Sequence, residues 1–183
     1  MFQLVKRVDK LLKLTYTNTM KILGLIGEPA SGKSTVIKNF IATLGEGTIV
    51  KDGLIVYTEY ADDKVIIAGK YEPGVTFCGT DTLSKGCGPK YRAWLEEAVQ
   101  DRTFEGWTFV FEGERFSNNP FMEMFERLGA TIYYLEADED TLNQRNANRS
   151  NQNPTWRKGM RTRMHNLRDK YPVERVQQGF VLG

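Results

Sequence analysis

Cysteine is scarce in this chain and long apolar runs are missing. Its 183 residues include two cysteines, Cys78 and Cys87, with neither metal-ligand spacing nor the look of a disulfide framework, so reduced thiols in a cytoplasmic protein are expected. No stretch approaches the roughly 18 consecutive apolar residues that a spanning helix needs. With 40% hydrophobic and 26% charged residues, the chain reads as a soluble globular domain without a membrane partner. A strong excess of one charge is also missing. The formal net charge is +2, too mild for composition to argue nucleic-acid binding, so any basic surface has to be local. The single histidine, His165, is expected at the surface or at a cap rather than in catalysis. Internal repeats and low-complexity segments are absent, and one compact domain is the expectation for this length.

The first nineteen residues interleave Lys6, Arg7, Lys10 and Lys13 with Leu4, Val5, Leu11, Leu12 and Leu14, a pattern that excludes a secretory signal. Met20 then opens directly into Lys-Ile-Leu-Gly-Leu-Ile-Gly. Residues 1–19 therefore read as an N-terminal extension, either an upstream start or an accessory amphipathic helix. A mitochondrial-type presequence is disfavoured by Asp9 and by the lack of serine. The domain is expected over residues 20–183.

Within it, Ile22 to Ile26 has the form of a buried parallel strand, and Ser34 to Leu44 carries helical periodicity. Leu54 to Tyr57 and Val65 to Ala68 are β-rich and separated by Ala-Asp-Asp-Lys, which predicts a hairpin inserted near 54–68 and lying over one edge. A helix is expected over Pro89 to Asp101 and a second buried strand over Trp107 to Phe111. Asn119-Pro120 predicts a helix start and Gly129 its stop, with Asn as the cap. Thr131 to Leu135 is a third strand. Asp138 can cap a helix running to about Arg149, Ser150 to Pro154 is a polar breaker, Trp156 to Tyr171 is again helical, and Phe180 to Leu182 reads as a last short strand. Strands alternating with helices predict an α/β fold of three layers, a mostly parallel sheet with helices on both faces and ligands at the carboxyl ends of the strands.

The chemistry begins at Gly27-Glu28-Pro29-Ala30-Ser31-Gly32-Lys33-Ser34, a P-loop of the three-layer nucleoside and nucleotide kinase type, which with Thr35 is expected to bind ATP and Mg²⁺. Glycines let the backbone curl and turn its N–H groups onto the phosphates at a helix N-terminus. Lys33 would reach the outer phosphates and Ser34 would ligate the metal. Phe109-Val110-Phe111-Glu112-Gly113-Glu114-Arg115 delivers a second metal-holding candidate, Glu112, with Glu114 and Arg115 nearer the acceptor. Asp81, in Gly79-Thr80-Asp81-Thr82-Leu83-Ser84, is either the base that deprotonates an attacking hydroxyl or a turn cap. Arg145 and Arg149, followed by Arg157, Lys158, Arg161 and Arg163, are either lid arginines, in a lid near 145–163, that stabilise a phosphoryl group in flight or a solvated basic face. The guanine-reading Asn-Lys-x-Asp pattern is absent, which disfavours a GTPase switch.

With these pieces placed, the chain resembles bacteriophage P-loop kinases, most closely the 5-hydroxymethyluracil DNA kinases of thymidine hypermodification. The likeness rests on the P-loop, Gly79 to Ser84, Glu112-Gly113-Glu114-Arg115, and Thr155-Trp156-Arg157-Lys158-Gly159 with Arg161, Thr162 and Asn166 behind it. It implies transfer of the γ-phosphate of ATP to the hydroxymethyl group of a modified pyrimidine in DNA, inside the cytoplasm of a phage-infected host. The base would be flipped out or exposed. The resemblance further implies that the late basic helix, Arg157 to Lys170, tracks the DNA backbone and that Trp156 or Tyr71 stacks on the base. A free nucleoside or nucleotide kinase using the same residues stays open, as does a P-loop ATPase or GTPase switch.

Overall fold

Why the apolar runs become one sheet is visible in how they alternate. In the computed structural model, which describes residues 20–72, 79–147 and 153–183, β1 (Lys21–Ile26) sends Leu23 and Leu25 to one face and Ile22 and Ile26 to the other. A strand buried on both faces lies at the centre of a helix-covered parallel sheet. β1 pairs in parallel with β5 (Thr108–Glu112) on one side and with β6 (Thr131–Leu135) on the other. The chain crosses between its two neighbours at this point, which leaves a crevice at the carboxyl end of β1.

Beyond β5 the sheet continues through β4 (Val65–Ala68), β3 (Ile55–Tyr60) and β2 (Thr48–Asp52), and beyond β6 through β7 (Glu174–Val176). The hairpin expected near 54–68 is thus built into the sheet rather than laid over its edge: β4 pairs in parallel with β5 and antiparallel with β3. The reason is burial, since all four residues of β4 are buried and need cover on both faces. β2 escaped sequence reading because it is an edge strand, half-buried at best, with no apolar alternation to betray it. β7 likewise forms at Glu174–Val176 and not at Phe180 to Leu182. There backbone pairing with Tyr133 to Leu135 decides, while Phe180 and Leu182 pack as side chains, Phe180 with its ring 4.7 Å from that of Tyr133.

One face is covered by α1 (Lys33–Ile41) through Val36 and Ile37. The other carries α2 (Gly88–Ala98), α3 (Asn119–Arg127) and α5 (Pro154–Lys170), packed on an aromatic cluster of Phe109, Phe111, Phe116, Phe121 and Phe125. The remaining helix, α4 (Glu139–Ala147), follows β6. α2 ends before the expected Asp101, because Asp101 instead accepts from the Thr103 N–H at 2.9 Å and opens a 3-10 turn. α3 is capped by Asn118 rather than Asn119, its side chain accepting from Phe121 N at 3.3 Å with Pro120 in the first turn. Asp138 caps α4, accepting from Thr141 N at 2.8 Å and from its hydroxyl at 2.7 Å. Gly24 marks where layers meet most tightly: a Cβ there would lie 2.3 Å from the Phe111 ring. Among the described residues no helix is long and apolar enough to cross a membrane.

Candidate functional site

The P-loop occupies the crevice at the end of β1. Gly27 has φ +149°, and a Cβ on it would stand 2.6 Å from the Leu135 carbonyl oxygen, so β6 backbone lies against the loop. Gly32, at φ +106°, is the cap of α1 and turns the chain into the helix. The first α1 residues follow at once, which brings a helix N-terminus, the positive end of its dipole, to the loop. Lys33 folds back over it, Nζ donating to the carbonyls of Gly27 at 3.1 Å and Glu28 at 2.7 Å.

Parallel register brings the second motif to the same place. Leu25 is paired with Glu112, and the Glu112 carboxylate, 5% exposed, accepts from Ser34 Oγ at 3.4 Å. These are hard oxygen donors, one hydroxyl and one buried carboxylate, at the mouth of a phosphate-binding loop. That set fits Mg²⁺, which keeps several waters and takes few protein ligands beside phosphate oxygens.

Asp81 arrives by a third route. Thr80, buried, donates its hydroxyl to the Glu112 carbonyl at 2.8 Å, tying the turn Thr80–Thr82 to the strand that carries Glu112. Asp81 is exposed beside it. A cleft of about 330 Å³ results, bounded by the P-loop on one side and by Asp81, Glu112, Glu114 and Arg115 on another. Glu114 and Arg115 pair with each other at 3.1 Å. Thr80 carried no role in the sequence reading; its neighbour Asp81 did, and the tether explains how that turn is held.

Three expected residues sit elsewhere than foreseen. Arg145 does not line the cleft; its guanidinium donates to the carbonyls of Ala30 and Ser31, each at 3.1 Å, and lies 3.2 Å from where a Gly32 Cβ would be. It braces the loop in this arrangement. Tyr71 is buried in the core, with its hydroxyl against Gly79, and so is shut off from any stacking on a base. His165, expected at the surface or at a cap, is half-buried and lies 2.8 Å from the Glu28 carboxylate. Arg149 falls outside the described residues, as do residues 1–19, Cys78 and part of the expected lid.

The last helix is less available to a nucleic-acid backbone than its composition suggests. Arg161 pairs with Glu28 at 3.2 Å and Glu139 at 3.1 Å, and hydrogen bonding to Glu139, helped by the charge of Glu28, holds it above its usual basicity. Arg168 pairs with Asp169 and Lys170 with Glu123. Trp156 remains on the cleft wall, with Arg157 half-buried and Lys158 exposed directly after it. Two methionines that sequence reading passed over, Met160 and Met164, share that wall. Their four-residue steps from Trp156 were the available signal. Tyr134, behind Glu28, is raised to about 12 by burial, with the Glu28 charge adding to the effect. Burial likewise raises the Cys87 thiol, marking it as a core residue rather than a nucleophile.

A P-loop NTPase is the class this sheet and loop define. Residues 22–171 match the AAA domain family, and the chain belongs to it; membership implies ATP binding with Mg²⁺ in general terms. Over 104 residues, 55% of the chain, it is 28% identical to a Methanosarcina acetivorans protein described as an ABC transporter ATP-binding protein. The match spans about 37% of that relative's length. A crystal structure of an SsGBP variant aligns over 96% of this chain and 55% of the other at 12% identity with a TM-score of 0.25, a likeness too slight to bear on fold or function.

Proposed function

We propose that the protein is an ATP-dependent kinase whose acceptor is a hydroxyl, and that this hydroxyl is the hydroxymethyl group of 5-hydroxymethyluracil in phage DNA, modified in the cytoplasm of the infected host. The observation that carries the phosphotransfer reading is the approach of Ser34 to the buried Glu112 at 3.4 Å, in a cleft that Asp81 also lines. The choice of acceptor rests on the sequence resemblance.

Ser34 and Glu112 would hold Mg²⁺, which when bound offsets charge on the outer phosphates. Lys33 exchanges the loop carbonyls of Gly27 and Glu28 for β- and γ-phosphate oxygens. Asp81 takes the proton of the acceptor hydroxyl as that oxygen bonds to the γ-phosphorus; the bond to the bridging β,γ-oxygen breaks and ADP leaves. Arg145 fixes the loop through the Ala30 and Ser31 carbonyls, and Arg149 would supply positive charge to the equatorial oxygens. Glu114 and Arg115 face the acceptor, and Arg157 and Lys158 meet the phosphates of the DNA strand.

A free nucleoside or nucleotide kinase is the second reading, favoured by the internal pairing of Arg161 and Arg168, which removes basic surface a DNA strand would use. The test is to incubate the protein with γ-labelled ATP and either hydroxymethyluracil-containing DNA or free nucleosides and nucleotides, with Lys33→Ala as the control. Label on DNA is expected. Label confined to free nucleotides sinks the DNA acceptor, and rapid hydrolysis that no acceptor raises sinks the kinase.

A further inference from the structure

Arg115 is incompletely satisfied where it lies. Its Nη1 donates to the Glu114 carboxylate at 3.1 Å, but its Nε is buried and has no acceptor among the described residues. A buried N–H without an acceptor is costly and rare in native structures. Here it belongs to a side chain that lines the cleft.

A second guanidinium approaches the same corner. A Cβ on Gly88, the first residue of α2, would lie 3.7 Å from Arg92 Nη1 and 3.5 Å from the Phe121 ring. Arg92 is half-buried, sits over that ring at 5.3 Å and pairs with no carboxylate among the described residues. Phe121 belongs to the first turn of α3, whose capping residue Asn118 donates to the Arg115 carbonyl at 3.1 Å. The N-termini of α2 and α3 therefore meet beside the two arginines, and neither first turn holds an acidic residue. Both positive helix ends add to the guanidinium charges. The Arg115 charge is felt at Cys87, the residue before α2, where burial raises the thiol and Arg115 opposes the rise. Glu114 is the acid recorded against this concentration of positive charge, and its side chain is 29% exposed.

We infer that Arg115, with Arg92 beside it at the meeting of the α2 and α3 N-termini, forms a seat for a phosphate group attached to the acceptor, separate from the P-loop. Because Nε is enclosed, its acceptor comes with a turn of the guanidinium from Glu114 towards the cleft. Side-on, Nε and one Nη match two phosphate oxygens, so the exchange satisfies the nitrogen that Glu114 leaves open, while Glu114 turns to water. The seat deepens the kinase reading and rests on it. It makes the acceptor phosphate-bearing, either a nucleotide with its 5′-monoester or a strand whose phosphodiester adjoins the base, in preference to a bare nucleoside.

The experiment uses the full chain with the P-loop filled by the non-hydrolysable ATP analogue AMP-PNP and Mg²⁺, so that no probe phosphate enters there, and reads affinity by calorimetry. One arm compares 5-hydroxymethyl-2′-deoxyuridine with its 5′-monophosphate. The other compares two single-stranded oligonucleotides carrying one hydroxymethyluracil, identical except that one has neutral methylphosphonates in place of the phosphodiesters flanking that base. The phosphate raises affinity about tenfold or more over its uncharged counterpart, the scale of a charge-assisted hydrogen bond. Arg115→Gln and Arg92→Gln each lower that ratio towards one, and Arg115→Lys, which keeps the charge without the fork, falls between. AMP-PNP and nucleoside affinity of each variant report its fold. A preference in the first arm alone assigns the seat to a free nucleotide, and one in the second alone to a strand. A ratio near one in both arms, or a ratio that the arginine variants leave intact, overturns the seat. Transfer assays separate the two claims: label transfer to a hydroxyl acceptor without an arginine-dependent phosphate preference removes the seat and leaves the kinase, whereas such a preference with no transfer to any acceptor removes the kinase.

Discussion

Glu28→Gln is the perturbation that most directly tests how the loop is held. The Glu28 side chain is 14% exposed and meets both His165 at 2.8 Å and Arg161 at 3.2 Å, so α5 is fastened to the P-loop at its second position. Hydrogen bonds to charged groups contribute about 1.5–3 kcal/mol each when buried. Arg161 is 45% exposed, and an exposed ion pair is worth about 0–1 kcal/mol, so its share has to be discounted. Glutamine preserves shape and one acceptor oxygen, which leaves a loss of about 1–2 kcal/mol once these magnitudes are combined. For a chain of this length that is a fall of about 2–8 °C in Tm. Urea and thermal melts of Glu28→Gln, His165→Asn and the double variant give the coupling directly. Because the three groups touch, the double variant should depart from additivity by about 0.5 kcal/mol or more. Additivity within about 0.3 kcal/mol, or an unchanged Tm for Glu28→Gln, refutes the reasoning.

Asp81→Asn should leave ATP affinity intact and slow transfer by on the order of a hundredfold, the scale of a lost general base; normal turnover in a labelled-ATP assay removes its assigned role. Gly24→Ala forces a methyl to within 2.3 Å of the Phe111 ring, which overpacking costs put at about 1–3 kcal/mol; a denaturant midpoint indistinguishable from the parent would show that the layers separate freely there. Asp138 is held below the usual carboxylate range, first by the Thr141 hydroxyl and then by its N–H. A depressed carboxyl stabilises the fold above its unfolded pKa of about 3.9 and stops doing so as pH falls through the folded value. Asp138→Ala should therefore lower Tm at pH 7 and match the parent in strongly acidic buffer, and melts across that range check it.

The parts of the fold that could be read from sequence are those where one local rule suffices. β1, β5 and β6 are short apolar runs with definite ends, and the P-loop has fixed residue types at fixed spacing, so each could be placed before any contact was known. Asp138 and Gly129 obey local cap chemistry, the latter at φ +69°. β2 and β7 could not be read in that way. They are edge strands whose residues are largely exposed, and their cause is a backbone ladder rather than an apolar pattern, β2 pairing with the next strand, β3, and β7 with the distant β6. The hairpin shows the mixed case: its two runs were visible, but whether it caps the sheet or extends it depends on β4 finding β5, a pairing across 40 or so residues that local pattern does not encode.

The same distinction explains the site. Residues whose role follows from their own type and place in a motif, Lys33, Ser34 and Glu112, meet at the end of β1 because parallel register aligns Leu25 with Glu112. Residues whose contacts depend on a distant partner could not be placed in that way: Arg145, expected over the phosphates, donates to the carbonyls of Ala30 and Ser31, while His165, set aside, reaches Glu28 across 137 positions. Both contacts run from elements after β6 back to the P-loop, one from α4 and one from α5. A loop that must wrap an anion cannot be packed from the cleft side without blocking its ligand, so its support has to come from behind, through side chains long enough to reach carbonyls and a carboxylate. Sequence spacing within α5 nonetheless recorded the two tasks: Arg161 and His165, four apart, face the loop, and Trp156, Met160 and Met164, also at steps of four, face the cleft. One helix therefore carries both the brace of the phosphate loop and a wall of the cleft, and a shift of that helix moves both together.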